Sequence, residues 1–131
     1  LGIGILAYGA LSRGLLSGTI TNPSKLEVTD FRRHLPRFEE ANLEKNMRLV
    51  DGLRAFANEK GITLSQLCIA WVMTQGKDIV TLVGTKRRRY LAENLQSASV
   101  QLTKEDLVRI DRIVPVNRSL GFVIRLNTWP W

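Results

Sequence analysis

The chain contains two short runs of consecutive apolar residues, and a stretch with helical periodicity follows each of them. The first run covers residues 3–8 (Ile-Gly-Ile-Leu-Ala-Tyr) and the second covers residues 79–83 (Ile-Val-Thr-Leu-Val). Neither run alternates apolar with polar positions. Short continuous apolar runs are typical of strands that are buried on both faces of a parallel sheet. We therefore expect two parallel strands with helices packed around them.

Two helices are predicted between these strands. The first carries an apolar stripe and ends at Gly61, a C-terminal cap. The second begins at a capping box formed by Thr63 and Gln66, runs to Thr74 or Gln75, and is apolar nearly all round, so it must be covered on most sides. The stripe of the first helix consists of Leu43, Met47, Val50, Leu53 and Ala57.

Two more helices are predicted after the second strand. One follows the basic residues 86–89, and the other begins at a second capping pattern, Thr103 with Asp106, and is stopped by Pro115. Their helically spaced positions are Leu91, Asn94 and Leu95 in the first and Leu107, Ile110 and Val114 in the second.

The order strand, helices, strand, helices predicts an α/β fold built from parallel βα units. Two such strands alone leave unpaired backbone edges and an uncovered face. Either the irregular connection at residues 17–40 and the tail at residues 116–131 contribute further strands, or the chain is part of a larger barrel or sheet. We favour the second interpretation.

The composition fits one soluble globular domain: 131 residues, of which 44% are hydrophobic and 24% are charged. The net charge is +7, with the excess at residues 86–89 and towards the C-terminus. A compact basic run indicates nucleic acid or a phosphorylated small molecule as partner, or only a solvated surface. No apolar run reaches the ~18 residues of a membrane span, and the first residues do not resemble a signal peptide.

Cys68 and His34 are the single cysteine and the single histidine. One cysteine excludes an internal disulfide and a Cys-rich zinc site, and it favours a reducing, cytoplasmic location. Cys68 and Trp71 belong to the apolar second helix, so we expect both in the core. His34 lies in the irregular connection and is expected at the surface.

Several spaced motifs resemble the aldo-keto reductase family. Residues 5–18 (Ile-Leu-Ala-Tyr-Gly-Ala-Leu-Ser-Arg-Gly-Leu-Leu-Ser-Gly) resemble the family's segment at the end of the seventh barrel strand, and residues 30–38 (Asp-Phe-Arg-Arg-His-Leu-Pro-Arg-Phe) resemble the loop that follows. Residues 63–76 are similar to the helix before strand eight. Residues 78–94 are similar to strand eight and the cofactor-binding helix. The resemblance is colinear over roughly residues 1–115.

The family fold is an eight-stranded βα barrel that binds NADP(H) at the C-terminal ends of its strands, and such a barrel usually needs about 250 residues. The resemblance therefore implies that residues 1–115 form the C-terminal part of a (β/α)8 barrel, with strands seven and eight and their helices. Residues 116–131 remain an unassigned tail. The resemblance also implies that the chain needs the N-terminal barrel portion as a partner.

The resemblance places Tyr8 at the nicotinamide, where an aromatic face can hold a flat ring and leave its other face open. It places the following loop over the pyrophosphate, because small residues let backbone amides approach phosphate oxygens. The family usually has Ser-Pro where this chain has Gly9-Ala10, so no serine hydroxyl is present at this point of the loop. The implied binding residues of the loop are Gly9, Ala10, Leu11, Arg13 and Gly14.

The implied site for the adenosine 2′-phosphate follows the second strand, where a lysine and an arginine supply the charge that separates NADP from NAD. This site consists of Gly84, Thr85, Lys86 and Arg87. The next helix carries Tyr90, Glu93 and Asn94 on one face, and the resemblance places the last two at the adenine. Arg88 and Arg89 are expected to form a solvated face.

The resemblance implies an oxidoreductase that reduces aldehydes or ketones to alcohols with NADPH and uses no metal. The catalytic Asp, Tyr, Lys and His of the family precede strand seven, so no residue of this chain is assigned a catalytic role and the chain alone is expected to lack turnover. Two alternatives remain open. One is a non-catalytic scaffold of the same fold, and the other is a basic nucleic-acid-binding module, although interleaved exposed aromatic residues are missing.

Overall fold

The computed structural model describes residues 2–20 and 26–115. Two parallel strands, β1 (Ile5–Tyr8) and β2 (Ile79–Leu82), form a sheet in which Ile5 pairs with Ile79 and Tyr8 with Leu82. The pairing extends to the residue before β2, because the Ile5 amide donates to the Asp78 carbonyl at 2.8 Å. Both predicted strands are therefore present, with shorter bounds than the apolar runs. The α/β class and the parallel direction are confirmed.

Four α-helices lie in the described part of the chain, and their order is the predicted one. They are α1 (Glu40–Glu59), α2 (Leu64–Met73), α3 (Arg88–Gln96) and α4 (Lys104–Ile113). Short 3-10 segments cover Ser12–Ser17, Phe31–His34, Pro36–Phe38 and Ser97–Ser99. Among residues 2–20 and 26–115, no helix is long and apolar enough to cross a membrane.

The helix boundaries follow from local hydrogen bonds that the sequence predicts. Thr63 and Gln66 form a complete capping box at α2, with the Gln66 amide donating to Thr63 Oγ1 at 3.2 Å. Thr103 and Asp106 form a second one at α4. Gly61, just after α1, has a φ of +68°, a left-handed conformation that glycine adopts without strain. The predicted start of α2, start of α4 and end of α1 are therefore confirmed.

Helices α1 and α2 form the centre of the main hydrophobic core. α4 packs against α1 so closely that a Cβ at Gly52 would lie 2.8 Å from Ile113 Cγ2, which explains a glycine in the middle of a helix. The 3-10 segment after β1 also contributes to this core, and Ile110 joins it from α4. The largest fully buried apolar side chains are Phe56, Leu15, Leu67 and Val50.

α2 covers one face of the sheet. Ile69 and Val72 of this helix form a second buried cluster, against which Ala7 and Ile79 of the strands pack. All residues from Leu64 to Ala70 are buried, as the apolar surface of the helix requires. Trp71 is partly buried and packs against both clusters. The core positions expected for Cys68 and Trp71 are confirmed.

The other face of the sheet is open. Its residues alternate with those that contact α2, and they are Leu6, Tyr8, Val80 and Leu82, which are 70%, 78%, 60% and 60% exposed. Each strand also has one edge without a partner strand among residues 2–20 and 26–115. This agrees with the expectation that two such strands alone leave unpaired edges and an uncovered face, because the described helices cover only one side of the sheet.

The residues expected to form an irregular connection are only partly irregular. Residues 26–38 contain two 3-10 segments, and the first is capped by Asp30, whose side chain accepts from the Arg32 amide at 3.0 Å. The Arg32 guanidinium donates to both carboxylate oxygens, from Nε to Oδ1 at 2.9 Å and to Oδ2 at 3.1 Å, and from Nη2 to Oδ2 at 2.6 Å. These hydrogen bonds lower the pKa of Asp30 from 3.8 to about 2. The predicted tail, residues 116–131, lies outside the described residues.

Replacing the α4 cap tests its contribution to stability. We expect Thr103→Ala to lower the free energy of unfolding by about 1 kcal/mol, because an orphan amide of the first turn loses its acceptor. Thr103→Ser keeps the hydroxyl and is the matched control, with a stability close to that of the unmodified chain. Urea denaturation followed by circular dichroism measures both. Equal losses in the two variants would contradict the capping role.

The Asp30–Arg32 pair predicts an acid-dependent stability. Because the pKa of Asp30 is lower in the folded chain than its ordinary 3.8, its contribution is present above pH 3.8 and is lost as the pH falls towards about 2. We expect Asp30→Asn to show a smaller drop in the thermal midpoint across this interval than the unmodified chain. Asp78→Asn, at an exposed carboxylate, is the control and should keep the full drop.

Candidate functional site

A cavity of about 1010 Å³ opens where both strands end. Since β1 and β2 are parallel and in register at Tyr8 and Leu82, the segments that follow them leave the sheet side by side. All thirteen residues predicted as cofactor ligands line this one cavity: Tyr8, Gly9, Ala10, Leu11, Arg13, Gly14, Gly84, Thr85, Lys86, Arg87, Tyr90, Glu93 and Asn94. The residues come from two segments that are 70 positions and more apart in sequence.

The turn after β1 has an unusual backbone. Ser12 and Arg13 have φ angles of 47° and 56°, and they are the two non-glycine residues with positive φ in the described ranges. Gly14 follows with a φ of 96°, and a Cβ there would lie 3.2 Å from Arg32 Nη1. The Ser12 amide donates to the Gly9 carbonyl at 2.8 Å and the Gly14 amide to the Leu11 carbonyl at 2.9 Å. Consecutive left-handed residues cost energy, so surrounding contacts must hold this turn.

Those contacts come from the segment at residues 26–38. Arg32 Nη1 donates to the Arg13 carbonyl at 3.1 Å, and Arg37 Nη1 donates to Ser12 Oγ at 2.8 Å. The Arg13 guanidinium carbon lies 5.3 Å from the centre of the Phe31 ring, which is within cation–π range. The segment therefore fixes both the backbone of the turn and the position of a cation at the cavity.

The segment after β2 leads from the strand into α3. Gly84 is exposed, and nothing lies within 4 Å of the place a Cβ would take. Thr85 Oγ1 donates to the Arg87 carbonyl at 3.3 Å, and the Arg87 amide lies 3.4 Å from the same hydroxyl oxygen. Lys86 and Arg87 are exposed, and no side chain caps the N-terminus of α3. Two cations thus lie beside backbone amides at the start of a helix, an arrangement suited to an anion.

One face of α3 forms the far wall of the cavity. The guanidinium carbons of Arg87 and Arg89 lie 6.0 Å and 4.6 Å from the centre of the Tyr90 ring, and Arg89 Nη2 donates to the Tyr90 hydroxyl at 2.8 Å. Arg88 and Arg89 are exposed and do not line the cavity. The solvated face expected for Arg88 and Arg89 agrees with their exposure, and Arg89 in addition hydrogen-bonds the Tyr90 side chain.

Glu93 is anchored to the beginning of α2. Its Oε1 accepts from Thr63 Oγ1 at 2.7 Å, so the threonine that caps α2 also orients this carboxylate. Gln66 Nε2 donates to the Glu93 carbonyl at 3.2 Å and to Gln96 Oε1 at 2.9 Å. The capping box of α2 thereby fixes the distance between α2 and α3, and one Glu93 oxygen is held at the cavity wall.

The charges that line the cavity are unbalanced. Arg13 and Arg37 lie on the β1 side, Lys86 and Arg87 on the β2 side, and Glu93 is the one carboxylate among the lining residues. Burial and the positive charge of Arg13 lower the pKa of Arg37. A cavity with four cations and one anion attracts a ligand that carries several negative charges.

The sequence interpretation missed several lining residues, of which Ser12 and Arg37 matter most. Arg37 belongs to a segment in which basic and acidic residues balance, so composition gives no signal for it. Ser12 lies inside the predicted turn, but no pattern in the sequence distinguishes it from its neighbours. The other lining residues that the sequence did not predict are Ser17, Thr19, Ser65, Leu82 and Val83.

Two residues that often carry chemistry lie apart from the cavity. His34 is exposed at the end of a 3-10 segment and does not line the cavity, in agreement with the surface position expected for it. Cys68 is buried in α2, and burial raises the pKa of its thiol to about 12. The thiolate is the nucleophilic form, so this cysteine is unreactive at neutral pH.

Comparisons with known proteins agree with this architecture. The chain is 36% identical over 113 residues to aldo-keto reductase str7 of Strobilurus tenacellus, which is 86% of this chain and 34% of the relative. It is 41% identical over 101 residues to aldo-keto reductase yakc [NADP(+)] of Schizosaccharomyces pombe, which is 77% of this chain and 30% of the relative. The chain thus spans about a third of the length of the curated relatives it matches.

The fold resembles that of a solved enzyme. The structure of the glycerol dehydrogenase AKR11B4 from Gluconobacter oxydans superposes with a TM-score of 0.79 at 27% sequence identity, over 97% of this chain and 38% of that chain. The model of the Aldo/keto reductase family matches residues 1–115. That match includes both strands, the helices between and after them, and the residues that line the cavity. The chain therefore belongs to the aldo/keto reductase family.

Proposed function

We propose that this chain supplies the NADP(H)-binding part of an aldo-keto reductase, formed by strands seven and eight of a (β/α)8 barrel. β1 takes the place of strand seven and β2 that of strand eight. Family membership, the parallel sheet and the likeness to the glycerol dehydrogenase structure support this placement. Residues 1–115 form the cofactor-binding part in this proposal, and a cytoplasmic location remains a prediction from the sequence.

The open face of the sheet supports a larger barrel. Leu6, Tyr8, Val80 and Leu82 form an exposed apolar surface, and both outer strand edges lack a partner within the described residues. In a βα barrel, helices cover the outside of the sheet and the opposite face points inward, which corresponds to α2 on one face here. An N-terminal barrel portion would pair with both edges and cover this surface, and we propose it as the partner of the chain.

The observation that carries the proposal is that a glycine-containing turn and a Lys-Arg pair line the same cavity. NADP has two separate anionic groups, a pyrophosphate in the middle and a phosphate on the adenosine ribose. The cavity is lined by cations from two segments, Arg13 and Arg37 on the β1 side and Lys86 and Arg87 on the β2 side. The chemistry of the lining residues therefore fits this cofactor, and the yakc relative carries NADP(+) in its name.

Each end of the cavity would hold one anionic group. The turn from Gly9 to Gly14, with Arg13, would hold the pyrophosphate, while Gly84 to Arg87 would hold the 2′-phosphate. Arg87 offers a planar fork of donors and Lys86 a point charge, so together they favour NADP over NAD. Glu93 and Asn94 would contact the adenine, where a carboxylate and an amide can accept from its amino group.

Tyr8 would contact the nicotinamide. It ends β1, its side chain is exposed at the cavity, and its aromatic face can hold a flat ring in one orientation. When bound, NADPH supplies the hydride that reduces the carbonyl of an aldehyde or ketone. The residues at 26–38 would border the substrate, because they pack directly on the turn that follows Tyr8.

Selective substitutions in the basic run test the proposal. We expect Lys86→Ala and Arg87→Ala each to weaken NADPH binding by about 10- to 100-fold, since a charge-assisted hydrogen bond contributes about 1.5–3 kcal/mol. NADH binding should change little in either variant. Arg88→Ala is the matched control, because Arg88 is adjacent and exposed but does not line the cavity. Fluorescence titration measures all three.

Three results would contradict the proposal. The first is equal weakening by Arg88→Ala, which would indicate diffuse attraction. The second is a random DNA duplex that binds more tightly than NADPH with steep salt dependence, which would favour the nucleic-acid-binding alternative. The third is a folded chain without any NADPH response, which would favour the non-catalytic scaffold.

The chain alone should not turn over substrate. The family's catalytic Asp, Tyr, Lys and His belong to segments before strand seven, and no residue of the cavity replaces the proton-donating tyrosine in this proposal. We expect the 131-residue chain to bind NADPH without carbonyl-dependent oxidation of it, measured by absorbance with an aldehyde and a ketone. Oxidation that is abolished in Tyr8→Phe would show that the chain contains its own acid.

A further inference from the structure

Arg37 is a cation that the chain leaves without an acidic partner. All twelve Asp and Glu side chains belong to residues 26–115, and none of them forms an ion pair with Arg37 in the described structure. Its side chain is partly buried, so part of its hydration is removed. A partly desolvated charge without a counter-ion is less favourable than a fully hydrated one, and this one also experiences repulsion from Arg13. An anion between or beside the two guanidiniums would offset this repulsion.

Most of the donors of Arg37 are unused. A guanidinium has five N–H donors, and one of them, on Nη1, is engaged by Ser12 Oγ at 2.8 Å. No other hydrogen bond from this side chain is formed within residues 2–20 and 26–115. Because Arg37 lines the cavity, its remaining N–H groups are available to a ligand there. The hydrogen bond to Ser12 fixes the guanidinium in place before any ligand binds.

The position of Arg37 matches a specific deficit in the turn. Gly9 has no side chain, so at this position the turn offers a phosphate no side-chain donor. Arg37 reaches the same turn from residues 26–38 and contacts it at Ser12. A guanidinium can donate to two phosphate oxygens at once, which a single hydroxyl cannot. The side chain of Arg37 therefore adds a second guanidinium to that of Arg13 at a turn in which Gly9 offers no side-chain donor.

We propose that Arg37, held by Ser12, is a direct ligand of the cofactor's pyrophosphate and supplies the side-chain donor that Gly9 does not provide. This inference rests on the proposed function, because it concerns the same cavity. The anionic ligand of the β1 end is a phosphodiester or pyrophosphate group, and the 2′-phosphate stays with Lys86 and Arg87. Residues 26–38 thus bind the cofactor themselves in addition to bracing the turn.

Two ligands separate this inference from the proposed function. NADP⁺ carries both the pyrophosphate and the 2′-phosphate, whereas adenosine 2′-monophosphate carries only the latter. We expect Arg37→Gln in the 131-residue chain to weaken NADP⁺ binding by about tenfold or more, as for the removal of a charge-assisted bond, and to leave adenosine 2′-monophosphate binding unchanged. Lys86→Ala should weaken both ligands. Isothermal titration calorimetry gives the dissociation constants without any catalytic assay.

Further variants distinguish binding from bracing. Ser12→Ala removes the anchor but keeps the guanidinium, so it should weaken NADP⁺ binding less than Arg37→Gln does. Arg37→Lys keeps the charge without the fork and should fall between the two. Arg33→Gln, at an exposed arginine of the same segment that donates to the Leu26 carbonyl, is the matched control and should bind both ligands normally. Thermal unfolding of each variant checks that it folds.

The inference is overturned if Arg37→Gln binds NADP⁺ as the unmodified chain does, or if it weakens both ligands equally. It is also overturned if Ser12→Ala causes as large a loss of affinity as Arg37→Gln, because Arg37 would then act only through the turn. In these three cases Lys86→Ala still reports on the proposed function. Failure of the unmodified chain to bind either ligand would overturn the proposed function together with this inference.

Discussion

The parallel pairing of β1 and β2, in register from Ile5–Ile79 to Tyr8–Leu82, is the constraint on which the site depends. Because parallel strands end at the same side of the sheet, the turn that begins at Gly9 and the basic segment that begins at Gly84 lie next to each other. A shift of one residue in this register would turn Tyr8 to the face that α2 covers, away from the open face of the sheet. The two segments that supply most of the cavity's lining residues each follow one of these strands, so the strand pairing sets their relative position.

Helix α2 links the sheet to α3, because it contacts both of them. Its apolar residues bury one face of the sheet through Ile69 and Val72, while its N-terminal capping box contacts the next helix. Thr63 therefore has two roles: it accepts from the Gln66 amide, and it donates to Glu93. A local signal that starts a helix also positions a carboxylate at the cavity wall, so stability and site geometry are coupled at this residue.

The segment at residues 26–38 contributes charge in two different ways. Arg32 is neutralised by Asp30 in a two-pronged ion pair and donates from Nη1 to the backbone of the turn. Arg37, five positions later, has no carboxylate partner in the described structure and lines the cavity. The first arginine braces the strained conformation at Ser12 and Arg13, and the second leaves a positive charge at the site. The same side-chain chemistry is structural in one case and available to a ligand in the other.

The sequence by itself determined the elements: both strands, the capping boxes at Thr63 and Thr103, and the end of α1 before Gly61, while the resemblance to the family implied the motif residues that line the cavity. These features depend on interactions over three or four positions, or on motifs short enough to read directly. Only the tertiary structure decided that α2 covers one face of the sheet, that Glu93 is anchored to Thr63, and that Arg37 reaches Ser12 across 25 positions. Such contacts depend on the path of the chain between the partners, and no local pattern of hydrophobic and polar residues encodes that path.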